Sequence, residues 1–312
     1  MGVILAAGKG TRMRPFSEQW PKPILPVLGK PLMAYQLEMM AALGIRRVVV
    51  VIGHLGHEVV KALGDGSVWG VQITYVEQEE VLGIAHAVSR LENHVDRPFF
   101  LFLGDIFFAT ENLASMVERF RSDRDVAGVL ACRREPNLEA IKRNFVVLTG
   151  PDGFVQRVIE KPRHPRTDLK GCGIYLFDLA FFDAVRRTPR TAMRNEYEIT
   201  DSIQIFLDDG YKVEAAEVVK ADMNVSYPQD LLELNLRLLA QSGQPNHVAD
   251  GVRQGRGATL RNCVVMAGAE IGDGAELQEC VLFPGARVPA GKVRTRTIFT
   301  ADAEIRCAPD EA

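Results

Sequence analysis

The sequence predicts an α/β fold, a mixed and largely parallel sheet covered by helices, followed by a short β-solenoid tail. Three observations carry that expectation. Strand-like runs alternate with helical patterns through the first half of the chain. Those runs are apolar at nearly every position, as strands buried on both faces must be. From Gly257 onward, Leu260, Val265, Ile271, Leu277, Leu282 and Val288 recur every five or six residues with small residues between them. That period is too short for a helix pair and fits a coil that buries one aliphatic residue per turn segment.

Val3 to Ala6 makes a first strand that runs into a glycine-bearing turn, Gly8-Lys9-Gly10. Residues 31–43 read as a helix, with Pro31 in the first turn and Gly44 as the stop. Residues 46–53 follow as a strand, 57–63 as a helix, 71–77 as a strand, 83–91 as a helix and 98–105 as a strand. Between Val126 and Val218 strands dominate, with helices near 179–186 and 200–209, continuing the same domain. Residues 228–241 (PQDLLELNLRLLAQ) form an amphipathic helix, and SGQPNH after it is a linker. The chain thus divides into a domain over 1–242 and a tail over 243–312. A short solenoid leaves an open end that must be capped or paired, so a homo-oligomer, or docking of the tail on the main domain, is expected.

The composition, 47% apolar and 25% charged over 312 residues, excludes a disordered or collagenous chain. Lys plus Arg (37) against Asp plus Glu (40) leaves −3 with the signs interspersed, so neither nucleic acid nor an anionic membrane is an expected partner. No apolar run approaches the roughly 18 residues of a membrane span. The opening MGVILAAGKG is too short and glycine-rich for a signal peptide. Five scattered cysteines lack any CxxC pair, and one must stay unpaired, which points to a reduced, cytoplasmic protein.

In sheets of this kind ligands bind beyond the carboxyl ends of the strands, which singles out the loops after Ala6, Glu77 and Leu103. Glycines at 8 and 10 let backbone N–H groups approach a phosphate closely. A dinucleotide fingerprint would need a third glycine where Met13 stands, and no GxxxxGK[ST] loop is present. Arg12, Arg14 and Lys22 add cations to this segment, and Pro15, Pro21, Pro23 and Pro26 stiffen it. Asp105, at a strand end, reads either as a helix cap or as a metal ligand. Lys161, before Pro162, reads as a turn residue or as an anion contact, and His86 as a packed residue or a support of site residues rather than a catalytic one.

LAAGKGTRMRP followed by WPKPILPV is similar to the signature of sugar-1-phosphate nucleotidylyltransferases, with Ser17 where threonine is usual. Gln78 with Leu82-Gly83, Gly104-Asp105, Glu160-Lys161-Pro162, NEYEITD at 195–201 and MNVSYPQDLLELN at 223–235 extend the resemblance over residues 2–240. It implies a Rossmann-like nucleotidyltransferase domain with a short C-terminal left-handed β-helix of hexapeptide type. It also implies the reaction of an NTP with a sugar 1-phosphate to give an NDP-sugar and pyrophosphate. By resemblance, Leu5, Ala7, Gly8, Gly10, Thr11, Arg12, Gln78 and Gly83 contact the nucleotide. Arg12, Lys22 and Asp105 would be catalytic, with Arg12 on the β- and γ-phosphates and Lys22 neutralising charge at the α-phosphorus. Glu160, Lys161 and Gly173 would hold the sugar phosphate, and Asp105 with Asn224 would bind Mg²⁺.

Within the family dTTP or UTP and glucose 1-phosphate are the favoured substrates. Mannose or N-acetylglucosamine 1-phosphate, and a non-catalytic regulatory paralogue that binds sugar nucleotides, remain the alternatives. Three departures lie on the sugar side: Ile106 replaces an asparagine, Phe145 a glycine and Met223 an aromatic residue, whereas the nucleotide loop is intact.

Overall fold

The computed structural model describes residues 1–192 and 195–307. Its strands begin with β1 (Gly2–Ala6), the short pair β2 (Pro26–Val27) and β3 (Lys30–Pro31), β4 (Arg47–Ile52), β5 (Gln72–Glu77), β6 (Phe99–Leu103) and β7 (Ile106–Thr110). They continue with β8 (Val126–Arg134), β9 (Phe145–Thr149), β10 (Val155–Glu160), β11 (Leu169–Phe177), β12 (Lys212–Glu217) and β13 (Val219–Asn224). The helices are α1 (Leu32–Ala42), α2 (Gly56–Leu63), α3 (Ile84–Ser89), α4 (Ala114–Ser122), α5 (Leu138–Ile141), α6 (Phe181–Arg187), α7 (Ile199–Asp208) and α8 (Pro228–Ser242). Two compact units divide the chain, one of Met1–Lys9 and Met33–Asp222, the other of Gly10–Leu32 with the chain from Met223 onward.

The first unit is built on a mixed sheet in the order β10-β9-β11-β6-β1-β4-β5, with β8 joining β11 to β12. Its parallel half follows from composition: Val48 to Val51 are all buried, and β-branched side chains suit a strand covered on both faces. β1 pairs in parallel with β4 and β6, and β4 with β5. β11 runs antiparallel to β6, which makes the sheet mixed. Phe99, Phe177, Phe181 and Phe206 form a fully buried aromatic group from β6, β11, α6 and α7, in which Phe177 stacks on Phe181 and Phe206 meets Phe181 edge-on.

β7, α4 and β13 go beyond the elements read from the sequence. β7 is separated from β6 only by Gly104-Asp105, the pair at which the strand read from the sequence ends. α4 buries only Met116, too little for a visible period.

One polar group lies deep in this unit. The Lys170 Nζ donates to both Asp222 oxygens at 2.8 and 2.7 Å, and the two side chains are 5% and 3% exposed. Arg133 approaches the same carboxylate at 3.0 Å and pairs with Glu135. Removing this acceptor strands the buried Lys170, while Arg133 keeps Glu135, and breaking a buried pair this way costs about 3–5 kcal/mol. Asp222→Ala should therefore lower unfolding stability by that amount in urea titrations, and a loss below about 1 kcal/mol would show the cluster is solvated instead.

In the second unit, residues 10–32 run through three short 3₁₀ turns into the β2–β3 hairpin. The hairpin is tied to α8: Asn235 accepts from Leu28 N at 2.9 Å and donates to Pro26 O at 3.3 Å and Leu231 O at 2.9 Å. Beyond α8 the tail strands pair in three parallel rows. One runs His247–Val248, Val264–Val265, Val281–Leu282 and Thr297–Phe299, closed by an antiparallel Glu304–Arg306. The other two are Arg253–Gln254, Glu270–Ile271 and Arg287–Val288, then Thr259–Arg261, Glu276–Gln278 and Val293–Thr295. Val265, Ile271, Leu277, Leu282 and Val288 share one buried apolar cluster with half-buried Leu260 against it, so the residues read from the spacing do pack together.

Candidate active site

The parallel register brings four chain segments to one edge of the sheet. Leu5 pairs with both Val51 and Leu103, and Ile52 with Glu77, so the loops after β1, β5 and β6 leave at the same carboxyl edge. Leu5 is half-buried at the end of β1, Ala7 is buried, and Gly8 and Lys9 are exposed. Gly104 N donates to Leu5 O at 2.9 Å, which fixes the start of the turn that carries half-buried Asp105. The buried Gln36 of α1 donates through Nε2 to Leu103 O and Ile106 O, both at 2.8 Å, clamping that turn from either side.

The loop after β5 holds Gln78, only 3% exposed, with its Nε2 2.8 Å from His86 Nδ1 on α3. Burial first, then the Arg90 charge, hold the His86 imidazole below its ordinary pKa, so at neutral pH the ring is uncharged. With a neutral ring, Nδ1 can accept from the Gln78 amide and fix which way that amide points. The neighbouring turn is anchored by backbone bonds to the NEYEITD segment: Tyr197 N donates to Leu82 O at 2.8 Å and Ala85 N to Tyr197 O at 3.0 Å. In that segment Asp201 has its carboxyl pKa raised by burial and by the charge of Glu198.

Antiparallel strands carry the remaining residues of this unit. Gly173 of β11 adjoins Ile174, which pairs with Phe102, so it lies opposite the end of β6. Glu160 pairs with Phe145, and Lys161, with φ +44°, donates its backbone N–H to Asn144 O at 2.8 Å. A non-glycine residue held in the left-handed region is a strained arrangement, of the kind that marks functional turns. The Glu160 and Lys161 side chains lie 3.6 Å apart. Phe145, 6% exposed, stacks on Tyr175 at 6.2 Å and occupies the space a Cβ at Gly171 would need.

In the other unit Gly10 is left-handed (φ +59°), and the Lys22 stem passes 3.0 Å from where a Cβ would sit. Lys22 is 8% exposed, whereas Thr11 and Arg12 are exposed, with the Arg12 guanidinium 5.2 Å over the Tyr227 ring. Arg14 faces Glu18 at 3.6 Å. Asn224 is exposed at the end of β13. Among the described residues no three or more His, Cys, Asp and Glu side chains gather as a metal cluster. All five cysteines are buried and unpaired.

Gln36 escapes sequence reading as a site support, because its contacts join residues with no helical or strand period. Tyr227 stands inside the MNVSYPQDLLELN motif, but nothing in that motif marks its ring as a partner of Arg12.

An open α/β sheet with a glycine-bearing turn at the end of its first strand is an architecture of nucleotide-handling proteins. The nucleotidyl transferase family profile matches residues 1–241. The chain is 36% identical over 242 residues to the UTP–glucose-1-phosphate uridylyltransferase AglF of Haloferax volcanii, covering 78% of this chain and 98% of that one. It is 35% identical over 273 residues to a glucose-1-phosphate thymidylyltransferase of Streptomyces griseus, covering 86% and 74%. A Bacillus anthracis protein assigned as a glucose-1-phosphate thymidylyltransferase, solved with a sucrose, superposes with a TM-score of 0.66 at 26% identity, over 75% of this chain and 93% of that one. This chain belongs to the sugar-1-phosphate nucleotidyltransferases of the nucleotidyl transferase family.

Gly83 offers a direct probe of the loop after β5. At φ +114° a Cβ there would fall 2.5 Å from Tyr197 O and 2.6 Å from Tyr197 N. Gly83→Ala should cost at least about 1 kcal/mol of stability and raise the KM for the nucleotide. Thermal unfolding and initial rates check this, and a variant unchanged in both would remove the loop from the site.

Proposed function

We propose that the protein transfers a nucleotidyl group from dTTP or UTP to a sugar 1-phosphate, with glucose 1-phosphate the favoured acceptor. The observation that carries this reading is the convergence of Gly8, Gln78, Asp105 and Gly173 on one edge of the sheet, in a chain of this family. The acceptor's phosphate oxygen forms a bond to the α-phosphorus as the α–β phosphoanhydride bond breaks and pyrophosphate leaves. In such a transfer the protein positions groups and neutralises charge rather than forming covalent intermediates.

Leu5, Ala7, Gly8, Gly10 and Thr11 are assigned to the nucleotide, with backbone N–H groups of the turn facing phosphate oxygens. Arg12 is assigned to the β- and γ-phosphates and Lys22 to the charge that develops at the α-phosphorus. The burial of Lys22 supports its role, since a cation removed from water acts more strongly on a nearby anion. Glu160 and Lys161 are assigned to the sugar and its phosphate, alongside Gly173. Asp105 and Asn224 are the proposed Mg²⁺ ligands. Their hard oxygens suit an ion that takes most of its ligands from phosphate and water, and Mg²⁺ when bound supplies charge neutralisation. Asp105→Ala removes the only full carboxylate of that pair, and turnover should fall by at least roughly a hundredfold. Near-normal turnover at saturating Mg²⁺ would overturn the assignment.

Gln78, oriented by His86, and the backbone around Gly83 are assigned to the edge of a pyrimidine. A purine would leave buried polar groups unpaired at about 1–3 kcal/mol each, a loss of roughly a hundredfold. Thymine differs from uracil by one methyl, and burying it against half-buried Ile84 is worth about 0.8 kcal/mol, roughly fourfold. The kcat/KM series for dTTP, UTP, ATP and GTP with one sugar phosphate should therefore show strong pyrimidine selectivity with a small preference for dTTP. A purine nucleotide as best donor would refute the base assignment.

The domain division at 242/243 and the left-handed β-helix form of the tail belong to the same reading. Support for the latter comes from the three parallel rows with strand partners seventeen residues apart. Among the described residues no helix is long and apolar enough to cross a membrane. The buried, unpaired cysteines suit a cytoplasmic protein, and a homo-oligomer is proposed from the tail's open end.

A further inference from the structure

Side chains on a strand alternate between its two faces, so each tail row has an inner and an outer set. In the first row the inner set, Val265, Leu282 and Phe299, belongs to the tail's own apolar cluster. The outer set, Val264, Met266, Val281, Phe283 and Ile298, lies outside that cluster and yet is at most 1% exposed. An outer face of that kind would ordinarily meet water. Here two parts of the same unit cover it.

The first is α8, which packs along Val264–Val265 and Thr297–Phe299. It is fastened at the edge by Arg296, which pairs with Glu233 of α8 and with Glu279 at 3.1 Å. The second is the segment 16–20. Phe283 stacks on Phe16, with ring centroids 5.3 Å apart at 25°, and meets Trp20 at 5.3 Å and 50°. Phe16 opens the 3₁₀ turn Phe16–Glu18 and Trp20 follows it, with Gln19 N and Trp20 N donating to Phe16 O at 3.0 and 2.8 Å. That turn sits midway between Arg12 and Lys22, and the Lys22 stem returns to pack on Gly10. Phe16 and Phe283 are 3% and 0% exposed, so the turn has no room to shift while the aromatic contact holds.

We propose that Phe283 is a positioning residue for nucleotide binding: through Phe16 and Trp20 it fixes the Gly10–Lys22 segment, making the tail part of the apparatus that grips the triphosphate. The inference rests on the reading that this segment contacts the triphosphate, and it goes beyond that reading by placing the segment's support in the C-terminal rows. Phe283 acts on the position of Arg12 and Lys22 and touches no substrate itself. Misplacing such groups by about 1 Å can cost on the order of a hundredfold in rate.

The full-length chain is tested in five variants, each assayed well below its own Tm. Phe283→Ala and Trp20→Ala should raise the Kd and KM for the NTP by roughly tenfold or more while changing the KM for the sugar phosphate far less. Phe283→Leu, which refills most of the volume, should recover most of the nucleotide affinity. Ile271→Ala, which hollows the tail core in a different row, should lower Tm and leave the nucleotide Kd in place. Arg12→Ala tests the underlying reading by itself. If Arg12→Ala weakens nucleotide binding while Phe283→Ala and Trp20→Ala do not, the role of Phe283 is refuted and the loop reading stands. If Arg12→Ala leaves binding unchanged, both fall. Should Phe283→Ala fail to fold, Trp20→Ala, which leaves the tail rows intact, decides the matter.

Discussion

The in-register parallel pairing of β1 with β4 and β6 is the constraint on which the rest of the first unit depends. Parallel strands cannot be joined by a tight turn, so each return passes through a helix and all three strands end at one edge. Those ends carry Ala7-Gly8, Ile52-Gly53 and Gly104-Asp105, short and mostly small residues where the neighbouring interior is bulky. The Gly104–Leu5 hydrogen bond and the Gln36 clamp then convert a sheet edge into fixed positions. A slip of β6 by one residue would send each of its side chains to the opposite face of the sheet and move Gly104-Asp105 along the edge, so the apolar core and the site share one register.

Much of this was legible in the sequence because its carriers are local. The run Val48 to Val51 announces a buried strand by composition alone, and the glycine turn after β1 is a contiguous motif. The strands β1, β4, β5 and β6, the helices α1 to α3 and the amphipathic α8 fall where the apolar patterns place them. The less legible parts come from contacts between distant positions. Gln36 sits in a mostly apolar helix, LMAYQLEMMAA, where one amide looks incidental until two carbonyls are found against it. The Lys170–Asp222–Arg133 group joins residues from three strands far apart in the sequence, so no local pattern announces it. Phe283 reads as one more apolar residue of the tail, because alternation tells which face a residue takes and not what covers that face.

Phe145 shows how a local departure can be absorbed. Its ring fills the space beside Gly171 and stacks on Tyr175, so a large residue on β9 is matched by an absent side chain on β11. The two positions act as one packing unit, and changing either alone leaves a void or a clash.

The seventeen-residue spacing of tail partners sets a rule for how this protein can change length. Gain or loss of a whole coil preserves which residues face outward, because every strand returns to the same place in its row. Removal of one residue between Val264 and Phe283 would instead exchange the inner and outer sets of the row and put both faces out of register with what packs on them. Insertions and deletions that a lineage retains in this tail should therefore come in steps of one coil, or be confined to the turns between rows. The first unit imposes no comparable arithmetic, since its loops can lengthen residue by residue while the strands they join stay in register.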